Sequence, residues 1–422
     1  MKRSPLVVIF TTVFIDLLGF GIVIPVLPFY AEGTQFNGTP RTVGLLFASY
    51  SIMQLIFSPV LGRLSDKHGR RPVLLISILG TGIGFLILGY ATTIWMLFAG
   101  RILDGISGGN ISTAQAYIAD VTPKEDRAKG MGLLGAAFGL GFIFGPAIGG
   151  ILSRWGTHVP FLFAAGLCFA NAGLLYFTLP ETIKPGHPAR VSAGGGRGLG
   201  QLIKSLKDAR LGFVLTIYFL FVVAFSIMTT SFSLYTMFRF GYDAQHTGYL
   251  FAYVGFIAVV IQGGLIGRLV KRFGELPLII VGALFFAGSL FAVPFVGPQT
   301  GGLLALLIGG GIFSLGNSLA TPALTSLASK SVGPAEQGSV MGLVQSAGSL
   351  ARAVGPSLAA LLIHSAVVQM GADGAVHHMS DHSLFVTFWT ASVIMFLAFL
   401  LAAYFTRVHI AEYSDTGAVE AV

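Results

Sequence analysis

The stretch GRLSDKHGRRP, residues 62–72, concentrates charge in a chain that carries little of it. Five of its eleven residues are charged, whereas Asp, Glu, Lys and Arg together make up 10% of the 422 residues. A related stretch, GRLVKRFGELP, occupies residues 267–277 and repeats the GRL start, the second glycine and the final proline at a shift of 205. A second pair, MGLL at 131–134 and MGLV at 341–344, is shifted by 210. The sequence therefore predicts two similar halves.

Composition indicates where these halves lie. Hydrophobic residues make up 54% of the chain, which is too many for a water-soluble globule. The net charge of +8 forms no basic stripe with aromatic residues, so nucleic acid is not an expected partner. We predict an all-α integral membrane protein with about twelve spans of roughly 20 residues. The expected spans are 5–30, 41–62, 72–93, 95–119, 129–152, 159–179, 211–236, 245–267, 276–297, 300–328, 337–364 and 383–406.

A stretch rich in Gly, Pro and cations, residues 181–210, separates the sixth span from the seventh. It is typical of a linker, and its end is expected to form a short amphipathic helix on the membrane surface. The predicted organisation is a six-helix half over 1–180, the cytoplasmic linker 181–210, a second six-helix half over 211–407, and a cytoplasmic tail, 408–422.

The distribution of cations predicts the orientation in the membrane. Of the 25 Lys and Arg residues, Arg41, Arg154 and Arg239 fall on one side, and Arg101 and Arg352 lie within spans. The other twenty fall on the side that holds both termini. By the positive-inside rule, both termini are predicted to be cytoplasmic, in a multi-pass protein of the plasma (inner) membrane.

Three motifs carry a resemblance to a known family. Gly62, Leu64, Ser65, Asp66, Gly69, Arg70 and Arg71 resemble the loop signature of the major facilitator superfamily, and RILDGISGG, residues 101–109, is similar to a further motif of it. GLGFIFGPAIGG, residues 139–150, resembles the motif of its drug–proton antiporters. The first half as a whole is similar to the tetracycline-resistance efflux branch. Secondary transporters that work by a rocking movement are built from two parallel halves with a binding site at their interface.

The resemblance implies a proton-coupled antiporter that exports a hydrophobic or amphipathic small molecule by alternating access. A proton symporter that imports a metabolite has the same fold and is the alternative. A membrane-embedded receptor or enzyme is a third class, but the sequence has no GxxxxGK[ST], HExxH or GxSxG motif. The expected partners are a small-molecule substrate, protons and the lipid bilayer, with no cofactor, and the protein is expected to be a monomer.

The 62–72 stretch is expected to act as a gate. Membrane topology alone accounts for its cations, but it does not require Asp66 or the two glycines. Gly62 lets helices approach and Gly69 permits a tight turn. Asp66 is expected to cap a helix or to pair with Arg127. Arg70 is expected to reach Asp120. The resemblance implies that this network latches the cytoplasmic side. The predicted gating residues are Gly62, Asp66, Gly69, Arg70, Arg71, Asp120 and Arg127.

Four charged residues lie inside the predicted spans: Asp16, Arg101, Asp104 and Arg352. Each costs at least ~2.5 kcal/mol to insert. The depths of Asp16 and Arg101 differ by only about 5 Å, so a pair is feasible, with Asp104 one turn further on as a competitor for the guanidinium. We predict that Asp16, Arg101 and Asp104 couple transport to protons, with Asp16 carrying the proton. The alternative is a static ion pair that fixes helix packing.

Gly141, Gly145 and Gly149 recur every four residues around Pro146 and predict a flat ridge for close helix contact. Ordinary small-residue packing explains this spacing equally well; the resemblance favours a hinge or seal.

Polar residues in other spans are candidate substrate contacts, although each is also a candidate interhelical hydrogen bond: Gln54, Gln115, Asn317, Gln345 and Arg352.

Three positions depart from the tetracycline exporters. Gly84, Ala258 and Phe286 stand where those proteins carry an acid, a histidine and an acid, so we expect a substrate other than tetracycline.

A further segment, GADGAVHHMSDH at 371–382, would place His378 and His382 on one face if it were helical, and imidazole suits zinc or nickel. A solvated polar loop is the preferred interpretation, and no metal is predicted.

Overall fold

Helices form most of the chain in the computed structural model, which describes residues 5–33, 35–122, 127–182, 209–332, 337–363, 365–371 and 374–415. The first half contains α1 (Pro5–Ala31), α2 (Pro40–His68), α3 (Arg70–Gly89), α4 (Ile94–Ser107), α5 (Asn110–Val121), α6 (Arg127–Leu152) and α7 (Val159–Thr178). The second contains α8 (Ala209–Phe240), α9 (Ala244–Val260), α10 (Ile266–Phe273), α11 (Glu275–Ala292), α12 (Gly302–Lys330), α13 (Gln337–Leu362), the strands β1 (Ser365–Gly371) and β2 (Gly374–Met379), and α14 (Asp381–Asp415).

Two spans consist of more than one helix. The fourth is interrupted at Gly108 and Gly109, so that α4 and α5 follow each other along one path. The eighth joins α9 to α10 through a π-helical turn, Ile261–Leu265. The fourteen helices of the described chain therefore form twelve spans in two halves of six, as predicted. Nine helical segments of the described chain are long and apolar enough to cross a membrane.

The predicted loop at 62–72 is mostly helix, which corrects the expected end of span two at residue 62. Helix α2 continues to His68, and α3 begins at Arg70. Gly69 alone makes the turn between them, with a φ of 103°, in the region that side chains with a Cβ rarely adopt. The charges of the stretch are thus held on two rigid helix ends.

Side-chain caps define several helix starts. Thr39 and Thr42 form a reciprocal capping box at the start of α2, and the Thr93 hydroxyl accepts a hydrogen bond from the Met96 amide at the start of α4. The Asp243 carboxylate caps α9 by accepting from the His246 amide at 2.8 Å. Partial burial opposes ionisation of Asp243, but the hydrogen bonds from His246 prevail and hold its pKa below the usual value.

The two halves meet mainly near one end of the bundle, which we call the hairpin face because it carries β1 and β2. A Cβ added to Gly44 of α2 would lie 2.7 Å from the Ala360 Cα of α13. A Cβ added to Gly150 of α6 would lie 3.1 Å from the Gly248 Cα of α9. The opposite end, here the loop face, carries Gly69. There α5 and α10 pack mainly against described elements of their own halves.

Candidate functional site

Arg101 and Asp104 of α4 form the central ion pair of the first half. Their side chains are buried, and Arg101 Nη1 donates to Asp104 Oδ2 at 2.8 Å. The guanidinium also lies over the Tyr50 ring, 4.2 Å from its centroid, which adds a cation–π contact to the pair. Within the described residues, the Nε and Nη2 of Arg101 have no hydrogen-bond partner.

The predicted pair between Asp16 and Arg101 is wrong. Asp104 binds the guanidinium because it lies three residues away on the same helix face, so no approach of a second helix is needed. Asp16 Oδ1 instead accepts a hydrogen bond from Asn110 Nδ2 at 3.4 Å. Asn110 is the first residue of α5, directly after the break in span four. Among the residues that the structure describes, Asp16 has no cationic partner, although it lies within electrostatic range of Asp104.

The candidate substrate residues fall into two groups. Gln54 Nε2 donates to the Tyr50 hydroxyl and to the Gly108 carbonyl, both at 2.9 Å, so Gln54 fastens the break in span four to α2. Asn317 accepts a hydrogen bond from Thr321 within its own helix at 3.0 Å. Neither Gln115 nor Gln345 has a side-chain hydrogen bond to the described residues. Their side-chain amides therefore remain candidates for contact with a substrate.

Arg352 lies on α13, in the other half, and its side chain is half-buried. Its Nη2 donates to Ser349 Oγ at 3.2 Å. It is within electrostatic range of the Tyr50 and Tyr218 hydroxyls, from opposite halves. No acidic side chain in the described part of the chain forms an ion pair with it. The central region therefore holds one paired and one unpaired arginine.

Arg70 organises the predicted gate. Its side chain is 2% exposed and forms ion pairs with Asp66 at 2.6 Å and with Asp120 at 3.1 Å. It also donates to Ser65 Oγ at 2.7 Å. These contacts join α2, α3 and α5 of the first half. The side chain of Arg127, the predicted partner of Asp66, lies outside the described residues. The predicted contact between Arg70 and Asp120 is present.

Glu181 is a member of this network that the sequence did not reveal. Its carboxylate accepts from the amides of Arg70 at 3.0 Å and Arg71 at 3.1 Å, and so caps α3; capping a helix is one of the two alternative roles predicted for Asp66. Arg71 donates to the Tyr176 carbonyl and lies over the Tyr176 ring. The available signal was the absence of Ser, Thr, Asp or Asn just before Arg70, which left α3 without a local cap.

The second half carries a matching ion pair of opposite polarity. Glu275, which stands where the first half has Arg70, pairs with Lys330. Lys330 is the last residue of α12. Asp120 holds a similar position in the first half, near the end of α5 and so of the fourth span. Ser326 Oγ also donates to Glu275 at 2.9 Å. The repeat in sequence is thus a repeat in structure, with the charges exchanged.

The glycines of α6 face α1 of their own half. A Cβ on Gly145 would lie 2.6 Å from the Gly21 Cα, and one on Gly141 would lie 2.7 Å from the Leu17 Cβ. Gly149 approaches the Ile22 carbonyl in the same way, at 2.9 Å. The ridge for close helix contact is therefore present.

The same helix also meets the second half. A Cβ on Gly248 of α9 would lie 2.7 Å from the Pro146 carbonyl oxygen. Helix α6 is continuous through Pro146. A hinge at this residue remains a prediction.

Arg154 links the halves at the hairpin face, and the sequence analysis did not single it out for this role. Its Nε donates to Gln245 Oε1 at 2.5 Å and its Nη2 donates to the Tyr249 hydroxyl at 3.2 Å. Gln245 Nε2 in turn donates to the same hydroxyl at 2.9 Å. We call Arg154, Gln245 and Tyr249 the clasp. It fastens the end of α6 to the start of α9.

Glu32 adds a carboxyl group at this face, directly after α1. Its Oε1 is buried and has no hydrogen-bond partner among the described residues. Burial raises the pKa of Glu32 to about 9. The group is therefore protonated and neutral near pH 7.

The two histidines considered as metal ligands do not share a helix. His378 lies in β2, where it is the register partner of Ala366 in β1, and His382 lies in the first turn of α14. The helical arrangement required for a shared face is therefore wrong. Side chains of residues 374–379 are outside the described set.

Comparisons with known proteins agree with the helical architecture. A sequence model of the Major Facilitator Superfamily matches residues 9–356. The tetracycline resistance protein, class H, of Pasteurella multocida is 31% identical over 412 residues, covering 96% of each chain. Multidrug resistance protein 2 of Bacillus subtilis (strain 168) is 32% identical, covering 86% of this chain and 89% of its own. The crystal structure of the human organic anion transporter MFSD10 (TETRAN) matches with a TM-score of 0.68 at 25% identity, covering 95% and 99%.

Proposed function

The chain belongs to the Major Facilitator Superfamily, and from that premise we propose that it is a proton-coupled antiporter exporting an amphipathic small molecule. It is a multi-pass membrane transporter of small molecules and not an enzyme. The observation that carries the proton proposal is Asp16, a carboxyl group inside a span with an amide donor but no cationic partner among the described residues. A charge in that position is costly, so a proton that neutralises it has a favourable site. The tetracycline and multidrug resistance relatives support the export direction.

We place the loop face in the cytoplasm, together with both termini, in the inner membrane. The excess of cations on that face supports this orientation. We assign the structure to the state that is closed at the hairpin face, and the close contacts of Gly44 with Ala360 and of Gly150 with Gly248 support this assignment. Residues 1–180 and 211–407 act as the two rocking halves, with 181–210 as the linker and 408–422 as the tail. A monomer is the proposed working unit.

The local packing supports a substrate other than tetracycline. A Cβ on Gly84 would lie 3.0 Å from the Gly100 carbonyl and 3.1 Å from the Asp104 amide, so any larger side chain there requires α3 and α4 to move apart by a few tenths of an ångström. Phe286 is fully buried between the rings of Phe221 and Phe313. These two positions supply contact surface to neighbouring helices and no carboxylate to the cleft.

The proposed function is tested in everted vesicles that contain the protein and carry an imposed pH gradient, acidic inside. A panel of amphipathic fluorescent compounds is expected to include at least one that accumulates inside and dissipates the gradient as it enters, since export in the cell becomes uptake in this geometry. Vesicles without the protein provide the control. Accumulation only when substrate and protons move in the same direction would favour the symporter instead.

Removal of the clasp is expected to shift the protein toward the state that is open at the hairpin face. Arg154→Ala deletes two hydrogen bonds that join the halves, and because the contact is exposed we expect a shift of about threefold to tenfold in the ratio of states. The distance between spin labels on the two halves at the loop face measures this ratio. Arg41→Ala, at an exposed arginine of the same side, is the matched control. Equal distance distributions for both variants would contradict the role of the clasp.

A further inference from the structure

Arg352 is a cation in the membrane interior whose counter-charge is missing from the described chain. The other arginine at the centre, Arg101, is neutralised by Asp104 at 2.8 Å. Among the described residues, the Arg352 side chain has a single hydrogen bond, to the neutral Ser349. An arginine without a counter-charge is unfavourable in a low-dielectric site, and a ligand that carries the missing negative charge would relieve this cost.

Two donor side chains meet beside one glycine here, and we call Arg352, Tyr218 and Gly348 the cradle. A Cβ placed on Gly348 would lie 3.3 Å from Arg352 Nη1 and 3.4 Å from the Tyr218 hydroxyl. The guanidinium and this hydroxyl therefore both lie close to Gly348. Tyr218 has no hydrogen-bond partner for its hydroxyl among the described residues, so the hydroxyl is free to donate. Ser349 holds the guanidinium from the same helix.

An aromatic row joins the two halves and begins at Tyr50, a ring within electrostatic range of Arg352. Tyr50, Phe20, Phe142, Phe225 and Phe313 follow one another with ring centroids 5.5, 5.7, 5.8 and 6.0 Å apart. The row crosses from the first half to the second between Phe142 and Phe225. The middle rings are half-buried. Successive aromatic side chains of this kind offer apolar contacts to the body of an amphipathic molecule.

We propose that Arg352 and Tyr218 bind the anionic group of an amphipathic organic anion whose apolar body rests on the aromatic row. This inference rests on the proposed function, because it names the substrate class of the same transporter. A guanidinium presents paired N–H groups that match the two oxygens of a carboxylate, and the tyrosine hydroxyl supplies another donor. Arg352 belongs to the second half and Asp16 to the first, so anion and proton occupy separate sites, coupled by the movement of the halves.

The test is a binding measurement that needs no proton gradient. Purified full-length protein in lipid nanodiscs is titrated with fluorescein, an aromatic carboxylate, and binding is followed by fluorescence anisotropy. 1-Naphthaleneacetate and its neutral analogue 1-naphthaleneacetamide serve as competitors of similar shape, only the first of which carries a negative charge. The variants are Arg352→Gln, Arg352→Lys and Tyr218→Phe. Arg268→Gln, an exposed arginine at the loop face, controls for loss of one positive charge.

We expect fluorescein to bind the wild-type protein and to be displaced by the acetate but not by the amide. Arg352→Gln should weaken fluorescein binding about tenfold to 100-fold, the range for a charge-assisted hydrogen bond. Arg352→Lys should recover part of this loss and thereby show that the site is folded, while Tyr218→Phe should cost about threefold to tenfold. Arg268→Gln should bind like the wild type.

Three results would overturn the inference: wild-type protein that does not bind fluorescein, equal displacement by the acetate and the amide, or wild-type affinity in Arg352→Gln. Failure of this inference is separable from failure of the proposed function. Proton-driven uptake into everted vesicles that persists in Arg352→Gln would refute the anion site and leave the antiporter proposal standing.

Discussion

Asp16→Asn is expected to abolish accumulation of the substrate against its gradient while leaving substrate binding intact. Asparagine keeps the size of the side chain and the oxygen that accepts from Asn110, but it cannot exchange a proton. Each pH unit of gradient supplies about 1.4 kcal/mol per proton, or a tenfold concentration ratio, and this entire contribution should vanish. Everted vesicles loaded by a pH gradient measure the accumulation ratio, which should fall to the level without a gradient.

Glu32→Gln is the matched control for this experiment. Glu32 is also a shielded carboxyl group, but it lies at the hairpin face, and its pKa of about 9 keeps it protonated near pH 7. Its replacement by an amide should therefore leave accumulation unchanged. If Asp16→Asn still concentrates substrate while Asp104 is intact, the proton must bind elsewhere and the assignment of Asp16 is wrong.

Gly145→Ala is expected to destabilise the first half by about 1–3 kcal/mol and to lower transport with it. The new Cβ would meet the Cα of Gly21 at 2.6 Å and the carbonyl oxygen of Leu18 at 2.8 Å. Backbone atoms cannot rotate away as a side chain can, so α1 and α6 must separate. Thermal unfolding of the purified protein should show a lower melting temperature than the wild type.

Gly139→Ala provides the comparison within the same helix. A Cβ at Gly139 meets nothing within 4 Å, and alanine is the better helix former by up to about 1 kcal/mol. This variant should match or exceed the melting temperature of the wild type. Similar losses in both variants would mean that α6 tolerates no added methyl group anywhere, and the contact with Gly21 would lose its special role.

The architecture could be predicted because the patterns that indicate it can be seen directly in the sequence. Runs of apolar residues mark the spans, and the repeat of the 62–72 stretch at 267–277 marks the two halves. The α2 start also has a local cause in the capping box of Thr39 and Thr42. The predicted end of span two, residue 62, is wrong because a rise in charge marks the end of an apolar run and not the end of a helix. Helix α2 continues to His68 although its last turn is charged.

The partners of the site residues were less predictable because they depend on contacts between distant segments. Depth in the membrane allowed Arg101 to meet Asp16, but depth does not give the direction in which a side chain points. Glu181 caps α3 across more than a hundred residues of chain. Arg154 meets Gln245 across the boundary of the halves. Such pairs depend on how the helices pack, and a short stretch of sequence carries no information about that packing.

The placement of ion pairs has a consequence for the work of switching. Each ion pair between side chains that the structure describes lies within one half. The first half has Arg70 with Asp66 and Asp120, and Arg101 with Asp104; the second has Glu275 with Lys330, Arg239 with Asp381 and Asp243 with His246. The described contacts across the hairpin face are instead made by glycine and alanine and by Arg154 with its neutral partners. Separation of the halves there breaks none of these ion pairs, so little electrostatic work opposes it.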